Sequence, residues 1–450
     1  MSEGFMLLML IGLSACRTPS GEKGLEKKEE STLPNIIYVL ADDLGYGDVA
    51  VFNSNSKIKT PYLDNMAKEG MIFTDAHTSS SVCTPTRYGI LTGRYNWRTV
   101  KKQGVLGGSS KALIPNSRTT IASLLQKQNY TTAFIGKWHL GWDWTLKVKD
   151  DISLTRSTQN AKIDFSKPVK NNPNDLGFDY AYGHCGSLDM APYVYVENGM
   201  PTMIPTNTTM NKGQAFWRKG LTAGDFIHED VTPNFFRRAI SYVEEKAKED
   251  KPFFLYLPIP SPHTPILPIK EFQGKSGLDN PYGDFVMMID AYMGQLLAQI
   301  KKSGIEGNTL IVFTSDNGCS PTADFEKLLQ KGHNPSAQYR GHKADIFEAG
   351  HRVPFIVKWP NKIKAGTVNS QTVCTTDFAA TVAAISNYKL SDNEAEDSFD
   401  MMPLFTQSFK GDAFREGTIH HSINGSFAIR KGDYKLIMCA GSGGWSYPTT

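Results

Sequence analysis

Neither sign of charge dominates this chain: 48 lysines and arginines meet 45 aspartates and glutamates, for a formal net charge of +3 over 450 residues. A balance that small, with no clustering of basic residues, speaks against a nucleic-acid partner. Cysteine is scarce. Six are present and none forms a Cys-x-x-Cys pair, so a cysteine-bound zinc is not indicated. Cys185, Cys319, Cys374 and Cys439 are scattered without close spacing; they could bridge in an oxidising compartment, but free buried thiols are the expectation. No internal repeat or heptad pattern is present, which sets aside solenoids and coiled coils. Long apolar runs are also missing: the N-terminal one, residues 5–13, is too short to cross a bilayer as a helix. What remains, 40% hydrophobic and 21% charged, can bury a large core, and the length suits one big α/β domain with a smaller companion.

Residues 35–41 form a continuous apolar, β-rich run, as in a strand of a parallel sheet buried on both faces. Helix patterns at 60–69 and 118–128 precede a short strand at 131–135. The alternation continues with a helix at 231–248, a strand at 252–258, a helix at 282–302 and a strand at 309–314. Helix and buried strand in turn predict a large, open, doubly wound sheet flanked by helices. Beyond about 369 the style changes to a helix at 377–385, an acidic loop at 391–400, and a hairpin of 426–430 and 434–438 turned by Lys431-Gly432-Asp433. The expected organisation is an α/β domain over 34–368 and a C-terminal α+β subdomain over 369–450.

In such sheets ligands gather where the carboxyl ends of the strands open into loops. Four polar clusters follow apolar strands directly: Asp42-Asp43, Gly136-Lys137-Trp138-His139, Ser261-Pro262-His263 and Asp316-Asn317-Gly318. Asp42, Asp43, Asp316 and Asn317 offer oxygen donors only, three of them anionic, which favours a hard divalent cation, calcium before magnesium. His139 and His263 are the candidates for proton transfer, since a neutral imidazole near pH 7 can both give and take a proton.

Cys83-Thr84-Pro85-Thr86-Arg87, followed after four residues by Thr92-Gly93-Arg94, resembles the signature of the type I sulfatases. In that family the cysteine is oxidised to formylglycine, an aldehyde whose hydrate is the nucleophile. Tyr130-Thr131-Thr132 leading to Gly136-Lys137-Trp138-His139 resembles the second signature, with Asn129 where glycine is usual. Lys343 through Glu348 to Gly350, then Arg352-Val353-Pro354, resembles a third segment, with Ala349 in place of a common glycine. The likeness covers roughly residues 33–430 and about six motifs in the family's order.

The resemblance implies an alkaline-phosphatase-like fold and hydrolysis of sulfate esters. It implies a metal held by Asp42, Asp43, Asp316, Asn317 and the modified Cys83, with Arg87, Lys137 and Lys343 as an electrostatic cradle for sulfate. It further implies that His263 protonates the leaving alcohol, that His139 takes a proton when the aldehyde re-forms, and that Ser187 and Asp189 contact substrate. Glu348 is expected to hold its loop rather than react. The aldehyde's second hydroxyl lets sulfate leave by C–O cleavage, so the nucleophile is regenerated rather than hydrolysed. Sulfated sugars, galactose or N-acetylhexosamine sulfates of host or environmental glycans, are the expected substrates, and a formylglycine-generating maturase is an expected partner. Aromatic residues Phe178, Tyr180, Tyr182, Tyr193 and Tyr195 could stack on a sugar, but packing is the favoured reading. Two rivals stand beside this one: a phosphonate monoester or phosphodiester hydrolase of the same superfamily, and a non-catalytic lipoprotein that binds sulfated glycan.

The N-terminus carries its own message. Leu13-Ser14-Ala15-Cys16 resembles a bacterial lipobox, in which Cys16 is lipidated, although Glu3 stands where a basic residue is usual. Residues 1–16 are then a lipoprotein signal peptide and 17–33 a flexible tether. The expected location is exported, lipid-anchored at the bacterial periplasm or cell surface, with the lipid as the only membrane contact. Family members generally run on further, which leaves open whether the chain continues beyond Thr450.

Overall fold

The central apolar run forms the strand Asn35–Asp42, with every residue after Asn35 buried. The computed structural model describes residues 1–2, 33–147 and 157–449. The lipobox with Cys16, the signal segment apart from residues 1–2, and the tether apart from residue 33 lie outside the described residues.

Asn35–Asp42 sits inside a ten-stranded sheet, between Thr309–Ser315 and Phe253–Pro262 and parallel to both. Tyr38 is in register with Tyr256 on one side and Val312 on the other. Beyond Phe253–Pro262 come Thr131–Lys137 and Tyr180–His184, again parallel. Five neighbouring strands therefore run the same way, and their carboxyl ends open along one edge. Antiparallel Phe355–Lys358 and Met71–Phe73 extend the sheet on one flank, the short Val196–Glu197 and Met200–Pro201 on the other, so the sheet is mixed.

The helices form two packed groups, as a sheet covered on both faces requires. Val231–Lys246 packs on Pro281–Lys302, which also meets Pro61–Lys68; Ile121–Lys127 packs on Phe378–Ile385. The helix expected at 118–128 starts only at Ile121, because Thr120 is its cap: the Thr120 hydroxyl accepts from Ser123 N while the Ser123 hydroxyl accepts from Thr120 N. The strand expected at 131–135 runs on to Lys137, and the one expected at 252–258 runs to Pro262, so Lys137 and His263 stand at strand ends rather than in loops.

Past the sheet's last member, Thr367–Asn369, the chain builds a three-stranded antiparallel sheet from Thr418–His421, Phe427–Lys431 and Tyr434–Ile437. The hairpin of the last two was expected; Thr418–His421 was not. Residues 33–450 form one compact unit. Cys185, Cys319 and Cys374 are buried free thiols and Cys439 is a half-buried one. No helix among the described residues is long and apolar enough to cross a membrane.

Candidate active site

Cys83 opens the helix Cys83–Thr92, whose ten residues are all buried. Val82 caps it in extended conformation with no side-chain bond to the first amides, so Cys83 lies at the positive end of the helix. Pro85 is tolerated because it falls in the first turn, where no intrahelical donor is lost. Arg87, four residues on, shares the face of Cys83, which gives the Cys-x-Pro-x-Arg spacing its physical meaning.

The Arg87 guanidinium binds the two outer carboxylates. Its Nε and one terminal nitrogen donate to Asp316 Oδ2 at 3.0 and 2.8 Å, and that nitrogen also reaches Asp42 Oδ2 at 3.0 Å. The other terminal nitrogen donates to the Lys137 carbonyl at 2.9 Å. Lys137 Nζ bonds Asp42 Oδ2 and donates to Ser187 Oγ at 2.7 Å. Lys343 Nζ donates to Asp43 Oδ2 at 2.8 Å, and Asn317 Nδ2 to Asp43 Oδ1 at 2.7 Å. Glu348, as expected, makes no contact with this set. It pairs with Arg352 at 3.1 Å and Lys435 at 3.2 Å, fastening the loop that carries Lys343.

These donors fit a hard divalent cation. Asp42 Oδ1 and Asn317 Oδ1 are buried oxygens without a hydrogen-bond partner among the described residues, and ligand atoms of Asp42, Cys83 and Asp316 lie within 4.8 Å of one another. Burial and the neighbouring Asp42 raise the Asp316 carboxyl far above the usual range, while burial of Asp42 is outweighed by Lys137, His263 and Arg87, which hold it low. The three carboxylates are matched in charge by Arg87, Lys137 and Lys343, so the two oxygens without partners are what mark room for an ion. A second group, His77, His351 and His420, also brings nitrogens within 4.8 Å. The rings of His351 and His420 are stacked at 3.8 Å and 7°, so their in-plane lone pairs cannot meet at one ion. That cluster instead ties the segment before Cys83 to the turn after Lys343 and to the C-terminal sheet.

Both candidate histidines are neutral by environment. Burial, with Lys137 and Arg87 nearby, lowers His139 well below its usual value; burial and Lys343 lower His263. Burial lifts the Cys83 thiol to about 11, so unmodified Cys83 carries little thiolate at neutral pH. Lys343 would be lowered by burial, but Asp43 outweighs it and keeps the ammonium charged.

Cys83, His139, Ser187, Asp189, His263 and Lys343 line one cavity of about 310 Å³. Asp42, Asp43, Asp316, Asn317, Arg87 and Lys137 are buried behind it, bonded to these residues or to one another. A larger cavity of about 610 Å³, lined by Tyr180, Arg237, Arg238 and Tyr242 among others, contains none of the expected site residues. Phe178, Tyr182, Tyr193 and Tyr195 are core, with Tyr182 and Tyr195 stacked at 5.1 Å, and Tyr180 is half-buried. Sequence reasoning passed over Phe216, Arg218 and Trp445, which line the same cavity as Cys83. Arg218 pairs with Asp189 from the hairpin strand Trp217–Thr222, whose sequence holds no motif to mark it. The constellation can grip a small oxyanion ester with cations on several sides and offer it two neutral imidazoles.

Residues 34–388 match the family described as Sulfatase, and residues 342–443 match one described as N-sulphoglucosamine sulphohydrolase, C-terminal. The chain is 31% identical over 476 residues to an N-acetylgalactosamine-6-O-sulfatase of Bacteroides thetaiotaomicron, covering 96% of this chain and 88% of that one. It is 31% identical over 413 residues to human arylsulfatase A, covering 89% and 74%. A solved Bacteroides thetaiotaomicron structure, described in connection with the metabolism of multiple glycosaminoglycans, superposes with a TM-score of 0.78 at 30% identity. It covers 90% of this chain and 88% of that one.

Proposed function

We propose, on the premise that this chain belongs to the sulfatase family and is a sulfuric ester hydrolase, that its substrate is a sulfated sugar of host or environmental glycans, a galactose or N-acetylhexosamine sulfate. The observation that carries the reading is the convergence of Arg87, Lys137 and Lys343 with four oxygen-donor side chains around Cys83. The galactosamine specificity in the name of one relative and the glycosaminoglycan context of a structural neighbour support the sugar class.

In this reading residue 83 is formylglycine, made by a maturase, and its hydrate supplies the hydroxyl that attacks sulfur. Asp42, Asp43, Asp316 and Asn317 would hold calcium, which would supply positive charge favouring a deprotonated hydroxyl. Lys137 and Ser187, already bonded at 2.7 Å, and Lys343 hold the sulfate oxygens. His263 lines the cavity and delivers a proton to the leaving alcohol; His139 accepts the proton released when sulfate departs. The sulfate's own charge raises both imidazoles toward the protonated form as it arrives. Asp189 and Arg218 face the sugar in the same cavity. The lipobox-like Leu13-Ser14-Ala15-Cys16 supports export and lipid attachment at the bacterial periplasm or cell surface, where polymeric glycan is met.

The test is peptide mass spectrometry on active protein, expected to show thiol replaced by aldehyde at residue 83, together with loss of turnover in Cys83→Ala. Full activity from protein with an unmodified Cys83 would overturn the mechanism. Elemental analysis should find about one calcium or magnesium per chain, as an oxygen-only donor set prefers; stoichiometric zinc would contradict it.

A further inference from the structure

Thr84, like Pro85 and Thr86, has no part in the chemistry above, but its side chain closes a ring of hydrogen bonds around His139. The Thr84 hydroxyl donates to the His139 carbonyl at 3.0 Å and accepts from Leu106 N at 3.1 Å. The Leu106 carbonyl in turn meets His139 Nε2 at 2.8 Å. A carbonyl can only accept, so Nε2 carries the hydrogen and Nδ1 is left with its lone pair. That Nδ1 is buried and has no hydrogen-bond partner among the described residues, and His139 lines the cavity that Cys83 also lines.

His139 is also held in a costly backbone conformation. Its φ is 56°, in the left-handed region that a side chain rarely adopts. Such residues persist where the surroundings over-determine them. Here His139 N donates to the Cys185 carbonyl at 3.1 Å, Trp138 N donates to the His184 carbonyl at 2.9 Å, and the His139 carbonyl is taken by Thr84. One hydroxyl thus fixes the backbone of the histidine and, through Leu106, the carbonyl that sets its tautomer.

We infer that Thr84 is a positioning residue: it holds His139 as the Nε2–H tautomer and leaves Nδ1 with a free lone pair, so that Nδ1 is the base of the aldehyde-restoring step. In that step the proton on the remaining hydroxyl of residue 83 passes to Nδ1 and its oxygen–carbon bond becomes double. The carbon–oxygen bond to sulfate breaks, and the electron pair leaves with sulfate. This inference rests on the formylglycine reading for its chemical consequence, but its structural content does not.

The test uses Thr84→Val, which keeps the shape and removes both hydroxyl bonds, against Thr84→Ser, which keeps the hydroxyl. The first readout is the histidine side-chain ¹⁵N spectrum of unmodified protein, where His139 is expected as a single Nε2–H tautomer. Thr84→Val should mix or invert that tautomer and Thr84→Ser should preserve it. The second is turnover of an aryl sulfate per mole of formylglycine. Thr84→Val should lower kcat at least tenfold and show an initial burst of phenol, the mark of a slowed second step, while Thr84→Ser turns over like the parent. A parental His139 spectrum in Thr84→Val overturns the inference, whatever the state of residue 83. An unmodified residue 83 in fully active parent protein overturns the formylglycine reading and leaves the tautomer result to decide the role of Thr84.

Discussion

His263 shows how much one ring can be read from its neighbours. Its Nδ1 meets the Thr264 carbonyl at 2.5 Å, so that nitrogen carries a hydrogen and Nε2 is the one left to serve the cavity, 3.7 Å from Asp43 Oδ2. A general acid there matters most when the departing alcohol is poor. His263→Ala should therefore cost far more on a sugar sulfate than on an aryl sulfate, with a gap of ~10²–10⁴ in kcat/KM between the two. Equal losses on both substrates would assign His263 to sulfate binding. His139→Ala should slow both alike. The residues of this site were legible because most stand directly after an apolar strand, where sequence shows both the strand and the polar break. Arg218 and Trp445 were not legible. They meet the cavity through a hairpin and a Gly- and Ser-rich stretch that carry no local pattern, and the Asp189–Arg218 pair exists only in the folded chain.

Among the elements, the helix Cys83–Thr92 was the least legible and is the most crowded. Thr84, Pro85, Thr86 and Gly89 are poor helix formers, and a helix buried on all sides has no polar face to betray its period. Its end is marked by Gly93, at φ 62°, whose N–H returns to the Gly89 carbonyl at 2.8 Å. A Cβ placed on Gly93 would come 2.7 Å from the Ala395 Cβ and 2.8 Å from that of Ala379, whereas at Gly432, also left-handed at 55°, it would meet nothing within 4 Å. Gly432→Ala should then cost only about 1 kcal/mol of backbone strain. Gly93→Ala adds overpacking to that strain, for a total of ~2–4 kcal/mol. Denaturant midpoints of the two variants compare them directly, and similar shifts would mean that the Ala379–Ala395 contact yields easily. The strands and long helices were legible from their alternation. Their ends moved by a few residues wherever a cap or a strand continuation, as at Thr120 and Lys137, outweighed hydrophobic pattern.

Taken whole, the molecule is built around buried neutral histidines. Burial lowers His184 and His421 to about 4 and His228 to about 3, and lowers His77, His351 and His420 as well. Once unfolded, each would take up a proton near pH 6.5, so below that value the unfolded chain binds more protons than the native one. Stability from these groups is therefore complete above pH 6.5 and is lost as pH falls through 6.5 toward the folded values. Between pH 7 and pH 5 each of the most strongly lowered rings contributes a loss on the order of 1–2 kcal/mol. Thermal unfolding at constant ionic strength should show the midpoint dropping steeply across pH 7, 6 and 5. A flat profile there would mean that these rings are protonated in the native state.

The closed packing around Cys83 also imposes a schedule. Its side of the cavity is completed by Lys343, which leaves the ribosome long after it, and in the finished fold Cys83 is 2% exposed at the start of a fully buried helix. Any enzyme that alters this sulfur must reach it on the nascent or still unfolded chain, in the interval between its emergence and the docking of the segments that cover it. The yield of altered protein then becomes a race between two rates, and a variant that folds faster emerges with a smaller altered fraction.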